Sequence, residues 1–190
     1  CISPSPKETQ KVVSSIMVNI IKPTLKTMNK LGYPFTGFLY AGVMFTKKGI
    51  YLIEYNVRLG DPECQAVLAR IKNNFLDICI ALKKKNIKNI KIKLHSAVSS
   101  CVVIASKGYP ESYEKGKQIK GIELYKNEKN IKVYHAGTKK NDKGNYITNG
   151  GRVLNIVSKA KNIKKSLELT YSVCSNISWK GSFFRKDIGS

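Results

Sequence analysis

The chain has 190 residues, 42% of them hydrophobic, and a formal charge of +22 from 34 basic against 12 acidic side chains, ordinary in apolar content for a soluble domain and extreme in charge. No apolar run approaches the roughly 20 residues a helix needs to cross a bilayer, and the opening "CISPSPKETQ" lacks the basic-then-apolar order of a signal peptide. Only Arg58, Arg70, Arg152 and Arg185 are arginine; nucleic-acid readers favour arginine and exposed aromatics, so a lysine-borne charge argues for nonspecific polyanion contact at most.

Ser5-Pro6-Lys7-Glu8 reads as a helix start, with serine as N-cap, proline at the first helical position and glutamate at the capping-box position. Apolar residues recur at helical spacing through Val12, Ile16, Ile20, Leu25 and Met28, and Gly32 supplies the stop. Pro23 within that run predicts a kink, or two helices end to end. "GFLYAGVMF" (37–45), the turn "TKKG" (46–49) and "IYLIEYNV" (50–57) form a β-hairpin pattern. "GDPE" ends the second strand, and "CQAVLARIKNNFLDICIALKK" (64–84) has helical periodicity.

The lysine-rich stretch 83–93 reads as a surface connection between two subdomains, 1–93 and 94–190. Beyond it, "SSCVVIAS" (99–106), "KNIKVYHAGT" (129–138) and "GRVLNIVSKA" (151–160) are expected strands separated by turn-rich segments, and "NIKKSLELTYSVCSNI" (162–177) a last helix. The five cysteines are scattered and form no CxxC pair, which argues against a disulfide framework or a zinc site and for buried thiols in a reducing cytoplasm. His95 and His135 lack partners at ligand or triad spacing and read as structural. The first residue is Cys1, not methionine, which suggests a piece of something longer.

The acidic cluster in "YLIEYNVRLGDPECQ" (51–65) is the candidate site. Side chains alternate along a strand, so Glu54 and Asn56 share a face, about 7 Å apart along the chain. A carboxylate and a carboxamide oxygen presented together suit a hard cation such as Mg²⁺, which keeps several waters and bridges to phosphates. Arg58 has the same parity and is placed to reach a phosphate oxygen. Asp61 and Glu63 follow just before a helix N-terminus, where anions are tolerated. Spacing alone leaves the plainer reading open: caps before a helix, and an ordinary strand carboxylate.

"YPFTGFLYAGVMF…LIEYNVRLGDPECQ" resembles the closing hairpin of the ATP-grasp fold, in the wording of the glycinamide ribonucleotide synthetase family. The likeness continues in order through "VIASKGYP", "VYHAGT", "TNGGRVL" and "FFRKDIG", over nearly the whole chain. It implies an α+β architecture: the C-terminal part of an ATP-grasp domain (helix, antiparallel hairpin, helix) in 1–93, then a small mixed β/α domain in 94–190. Enzymes of this family join 5-phosphoribosylamine to glycine with ATP through glycyl phosphate, using Mg²⁺ or Mn²⁺. By motif, Glu54 and Asn56 would be metal ligands and Arg58 would contact phosphate or the acyl phosphate. Gly60, Asp61, Pro62 and Glu63 would line the glycine and phosphoribosylamine site, Asp61 holding an amine. "HAGT" (135–138) and "NGGR" (149–152) would bring backbone N–H groups and Arg152 toward the substrate or a domain junction, or else be turns that need glycine. Arg185 would pair with Asp187, as a domain staple or beside the phosphoribosyl group.

Two departures from the family pattern stand out. The preceding strand, Gly37–Phe45, has no acid to serve as a further metal ligand. The family's N-terminal domain and most of its ATP-grasp domain, including lid and adenine pocket, have no counterpart, so the implied partner is a missing N-terminal half, in cis or in trans, without which the chain is expected to be inactive. A basic nucleic-acid-binding module and a non-catalytic interaction fragment are the alternatives.

Overall fold

The computed structural model describes residues 1–189. They fall into two compact units: Pro4–Asp61 with Lys72–Lys93, and Cys1–Ser3 with Pro62–Ile71 and the chain from Leu94 onward. Residues 62–71, expected in the first domain, therefore pack within the second unit.

The two-residue strand β1 (Ile2–Ser3) belongs to the second unit. In the first unit, Ser5–Glu8 is a turn and not a helix start. Lys7 N donates to Ser5 Oγ at 3.3 Å and Glu8 N to Ser5 O at 2.9 Å, and the N-cap passes to Thr9, whose Oγ1 accepts from Val12 N at 3.3 Å. Helix α1 (Gln10–Ile16), a π-helical stretch Met17–Ile21 and α2 (Lys22–Lys30) follow without interruption through Pro23. Proline brings no N–H and crowds the carbonyl one turn back; the widened turn just before it relieves both problems. The Ile20 carbonyl in that turn accepts from Thr24 Oγ1 at 2.9 Å and from Tyr55 Oη at 3.2 Å. Gly32, at φ +85°, ends the helix while Tyr33 N donates back to Met28 O at 2.9 Å.

The hairpin forms as expected from β2 (Tyr40–Thr46) and β3 (Gly49–Asn56), closing at Thr46 opposite Gly49. Gly42 pairs with Glu54 and Val43 with Leu52, so Ile53 is the extra residue of a β-bulge. The single helix expected over 64–84 is two, α3 (Glu63–Leu68) and α4 (Phe75–Lys83). Two asparagines just before α4 turn their side chains to backbone instead of continuing the helix, one locally and one across 20 positions. Asn74 Oδ1 caps α4 by accepting from Leu76 N at 3.0 Å, and Asn73 Oδ1 accepts from Lys93 N at 2.7 Å. Phe75 of α4 stacks on Phe38, with ring centres 5.6 Å apart. Among the described residues of this unit only Gly60, Ile78 and Ala81 are buried, while Met44, Tyr51, Leu52 and Ile53 of the hairpin are exposed.

In the second unit β4 (Val98–Ser106), β5 (Ile131–His135), the β6 (Thr138–Lys140) and β7 (Tyr146–Thr148) hairpin, β8 (Arg152–Ala160), α5 (Ile163–Asn176) and β9 (Ser182–Phe183) follow in order. The main sheet runs β1-β4-β8-β5, with β9 on the far end of β4, and every pairing is antiparallel. Val102, Ile104, Leu154 and Ile156 pack against Val173 and Cys174 of α5; on the other face Cys101 and Val157 meet Ala66 of α3. Burial between two helical layers explains why β8 lacks the apolar–polar alternation of a half-exposed strand. Burial of the α5 face that meets the sheet pushes the Cys174 thiol up to about 12. Arg70 ties the entry to β4 in place, donating from Nε to Ala97 O at 3.0 Å and from Nη1 to Ser3 Oγ at 3.1 Å.

Four fully buried hydroxyls interrupt the apolar layer beneath α5. Ser100 Oγ lies 2.7 Å from both Ser166 Oγ and Thr170 Oγ1, and Ser158 Oγ donates to Ser166 O at 2.7 Å and lies 2.8 Å from Thr170 Oγ1. Removing one hydroxyl strips several hydrogen bonds from its buried partners at once, each worth about 0.5–1.5 kcal/mol, a loss of about 1–3 kcal/mol in all. In urea unfolding, Ser158→Ala is expected to lose stability on that scale, whereas the exposed Ser175→Ala changes it by less than about 0.5 kcal/mol; equal effects would refute a special role for the cluster.

Candidate functional site

The first unit holds the Glu54–Asn56 pair. Glu54 and Asn56 lie on one face of β3, as alternation requires, and Asn56 Nδ2 donates to Glu54 Oε1 at 2.8 Å. Tyr55 between them points to the opposite face, where its hydroxyl meets Thr24 Oγ1 at 2.7 Å and Ile20 O. Anchoring Tyr55 on the helix thus fixes which way the pair faces. Opposite Glu54 stands Gly42, where a Cβ would come within 3.3 Å of Glu54 Cγ, so the missing side chain gives the glutamate room to lie across β2.

The donor set fits a hard cation in a limited sense. One carboxylate and one carboxamide already within hydrogen-bonding distance would hold an ion between them once the amide turned its oxygen inward, with water and phosphate supplying the remaining ligands. Among the described residues no group of three His, Cys, Asp or Glu side chains gathers at metal-binding distance. Arg58 lies past the end of β3, where the chain bends and strand parity lapses; its Nη1 donates to its neighbour's carbonyl, Leu59 O, at 3.1 Å. Gly60 is buried and Asp61 exposed.

In the second unit, Pro62 is the N-cap residue of α3 and Glu63 its first helical residue. The "HAGT" and "NGGR" segments meet each other. Gly137 N donates to Arg152 O at 2.9 Å and Asn149 N to Gly137 O at 2.7 Å, so these amides serve the fold and not a ligand. The glycines here answer a close approach: a Cβ on Gly137 would lie 2.6 Å from Gly150 Cα, and neither residue needs positive φ. Arg152 opens β8, and its Nε donates to Tyr109 Oη at 2.6 Å, a contact across 43 positions that sequence reading missed although "VIASKGYP" contains the tyrosine. Arg185 and Asp187 pair through two hydrogen bonds, Nε to Oδ1 at 2.9 Å and Nη2 to Oδ2. The guanidinium holds the exposed Asp187 carboxyl below the usual carboxylate range. His135 Nδ1 lies 2.9 Å from Thr138 Oγ1, its ring packs 4.4 Å from that of Tyr146, and partial desolvation of this exposed side chain lowers its pKa.

The phosphoribosylglycinamide synthetase models match in order, the ATP-grasp (A) domain over residues 1–64 and the C domain over residues 99–190. The phosphoribosylamine–glycine ligase of Fusobacterium nucleatum is 42% identical, across 100% of this chain and 44% of its own length. The chloroplastic phosphoribosylamine–glycine ligase of Arabidopsis thaliana is 40% identical, across 98% of this chain and 36% of its own. The crystal structure of phosphoribosylamine–glycine ligase from Thermotoga maritima superimposes with a TM-score of 0.79 and 28% identity, covering 98% of this chain and 45% of that one. N5-carboxyaminoimidazole ribonucleotide synthetase from the same organism shares the fold alone, at a TM-score of 0.61 and 15% identity. The chain spans less than half the length of these relatives.

The lowered His135 pKa gives a pH dependence with a definite sign. Below the ordinary imidazole value of about 6.5 the unfolded chain takes up the proton before the folded one, so stability is complete above that pH and declines beneath it. Urea midpoints from pH 8 to about pH 5 should fall for the native chain and fall less for His135→Phe, which keeps a ring against Tyr146; identical profiles would exclude His135 as the source.

Proposed function

Because the chain belongs to the phosphoribosylglycinamide synthetase family, we propose that it is the C-terminal half of a cytoplasmic phosphoribosylamine–glycine ligase. In that reading residues 1–93 are the end of the ATP-grasp domain and 94–190 the C-terminal domain. The glycine carboxylate attacks the γ-phosphorus of ATP and ADP departs; the amine of 5-phosphoribosylamine then attacks the glycyl phosphate carbonyl and phosphate leaves. The observation that carries the reading is the Glu54–Asn56 pair, held at hydrogen-bonding distance on one strand face within the segment that matches the A domain.

Glu54 and Asn56 would hold Mg²⁺ or Mn²⁺, which when bound neutralises triphosphate charge during phosphoryl transfer. Arg58, once swung from the Leu59 carbonyl, would pair with a phosphate oxygen or the acyl phosphate, and Asp61 would hold a substrate amine. Gly60, Pro62 and Glu63 would line the glycine and phosphoribosylamine site, while Arg152 and Arg185 would serve the phosphoribosyl group. The exposed apolar hairpin and the scarcity of buried residues in the first unit support completion by an upstream half, in cis or in trans. The lysine-borne charge supports no more than nonspecific attraction to polyanions.

ADP release is measured with ATP, Mg²⁺, glycine and freshly generated phosphoribosylamine, on this chain alone and mixed with a separately expressed upstream half. Activity is expected in the mixture only, and silence from two folded halves would overturn the ligase reading. In the active mixture Glu54→Ala or Asn56→Ala should lower turnover by roughly 100-fold or more, the scale lost with a charge-stabilising group. Full activity of both variants at ordinary Mg²⁺ would defeat the metal assignment.

A further inference from the structure

We propose that Tyr109 is a positioning residue for Arg152, aiming its guanidinium at the phosphate ester of a sugar-phosphate substrate. The proposal rests on the reading of Arg152 as a substrate-binding residue and adds what makes that arginine selective. A guanidinium is a rigid planar fork, so a hydrogen bond to Nε sets the plane in which all its other N–H groups lie. Tyr109 Oη accepts that bond at 2.6 Å. The guanidinium carbon stands 5.6 Å from the ring centre, near the outer limit of cation–π attraction, so of the two contacts with Tyr109 the hydrogen bond at the phenol tip is the orienting one.

The tyrosine is itself held by the backbone it serves. A Cβ on Gly151 would lie 2.2 Å from Tyr109 Cδ2 and 2.9 Å from Tyr113 Cε1, so the two rings occupy the volume of the missing side chain immediately before Arg152. Tyr109 N donates to Ser106 O at 3.1 Å, and Ser106 N in turn donates to Gly151 O at 2.8 Å. Ser106 Oγ donates to Gly150 O at 3.3 Å. The end of β4, the start of β8 and the phenol thus form one closed set of contacts, of which the Arg152 Nε bond is the last link. Strand pairing alone would not ask for it. A phosphate monoester rewards such a fixed fork, because its oxygens match two parallel N–H bonds.

The test uses ¹⁵N-labelled chain and ribose 5-phosphate as the probe. The four arginines give few Nε–Hε signals to assign. Ribose 5-phosphate should shift the Arg152 signal saturably in the native chain and bind about 3- to 10-fold more weakly to Tyr109→Phe, the worth of one hydrogen bond. Without ligand, the Arg152 Hε proton should exchange faster in Tyr109→Phe, which keeps the ring over Gly151. If Tyr109 acts through Arg152, Tyr109→Phe adds no further loss in an Arg152→Lys background. Equal affinity of the native chain and Tyr109→Phe, or additive losses in the double variant, would overturn the positioning role while leaving Arg152 as a binding residue. Failure of the native chain to bind ribose 5-phosphate would overturn the Arg152 reading and the positioning role with it.

Discussion

The hydroxyls of Ser100, Ser158, Ser166 and Thr170 find their partners in one another and in the Ser158 and Ser166 carbonyls beneath α5. Their burial permits one alignment of β4, β8 and α5. A slip of one residue in either strand would turn a hydroxyl to the wrong face and leave its former partners unsatisfied in a medium that penalises it. Apolar neighbours such as Val102 and Ile156 add most of the burial but tolerate exchange; the polar four specify register. That register runs as far as Ile104 opposite Leu154; a β-bulge then skips Val153 before Ala105 meets Arg152.

The other unit is organised by a different means. It has few buried residues, and its orientation-setting contact is polar: the Tyr55 hydroxyl reaching the helix at Ile20 and Thr24. The widened turn ahead of Pro23 and the strand beside it are therefore joined through the Ile20 carbonyl. Elements secured by single polar ties open at lower free energy than elements in a packed core. Greater local opening is expected of the hairpin unit than of the sheet unit.

The regular elements were legible wherever local pattern and local structure coincide. The hairpin, β4, β8 and α5 announce themselves through apolar runs bounded by turn residues, and the Glu54–Asn56 face follows from alternation alone. The misreadings occurred where a short polar side chain competes with backbone. Ser5 made a turn in place of a cap, and Asn73 and Asn74 broke a periodic helix because their oxygens had other donors in reach. β6 and β7, three residues each, are too short to show a period; their signal is the Asn141 side chain, which accepts from Lys143 N and Asn145 N in the turn between them. The Tyr109–Arg152 contact and the hydroxyl cluster join residues dozens of positions apart, and no local regularity encodes such a meeting. Gly137 and Gly150 were visible as glycines, but close backbone approach and not dihedral freedom is what requires them.

The bulge at Ile53 divides β3 into two halves of opposite phase. Outward and inward positions counted from the loop at Thr46–Gly49 no longer agree with those counted from Asn56, since one residue of β3 has no partner on β2. The Glu54–Asn56 pair thus takes its facing from the helix-anchored base of the hairpin and not from its tip. Lengthening or trimming the tip would leave Glu54 and Asn56 where they are. Deleting Ile53 would set the two ends of the strand in conflict, with either Tyr55 torn from its helix or the outer hairpin turned inside out. A single unpaired residue thus works as a clutch between a variable end and a constant one.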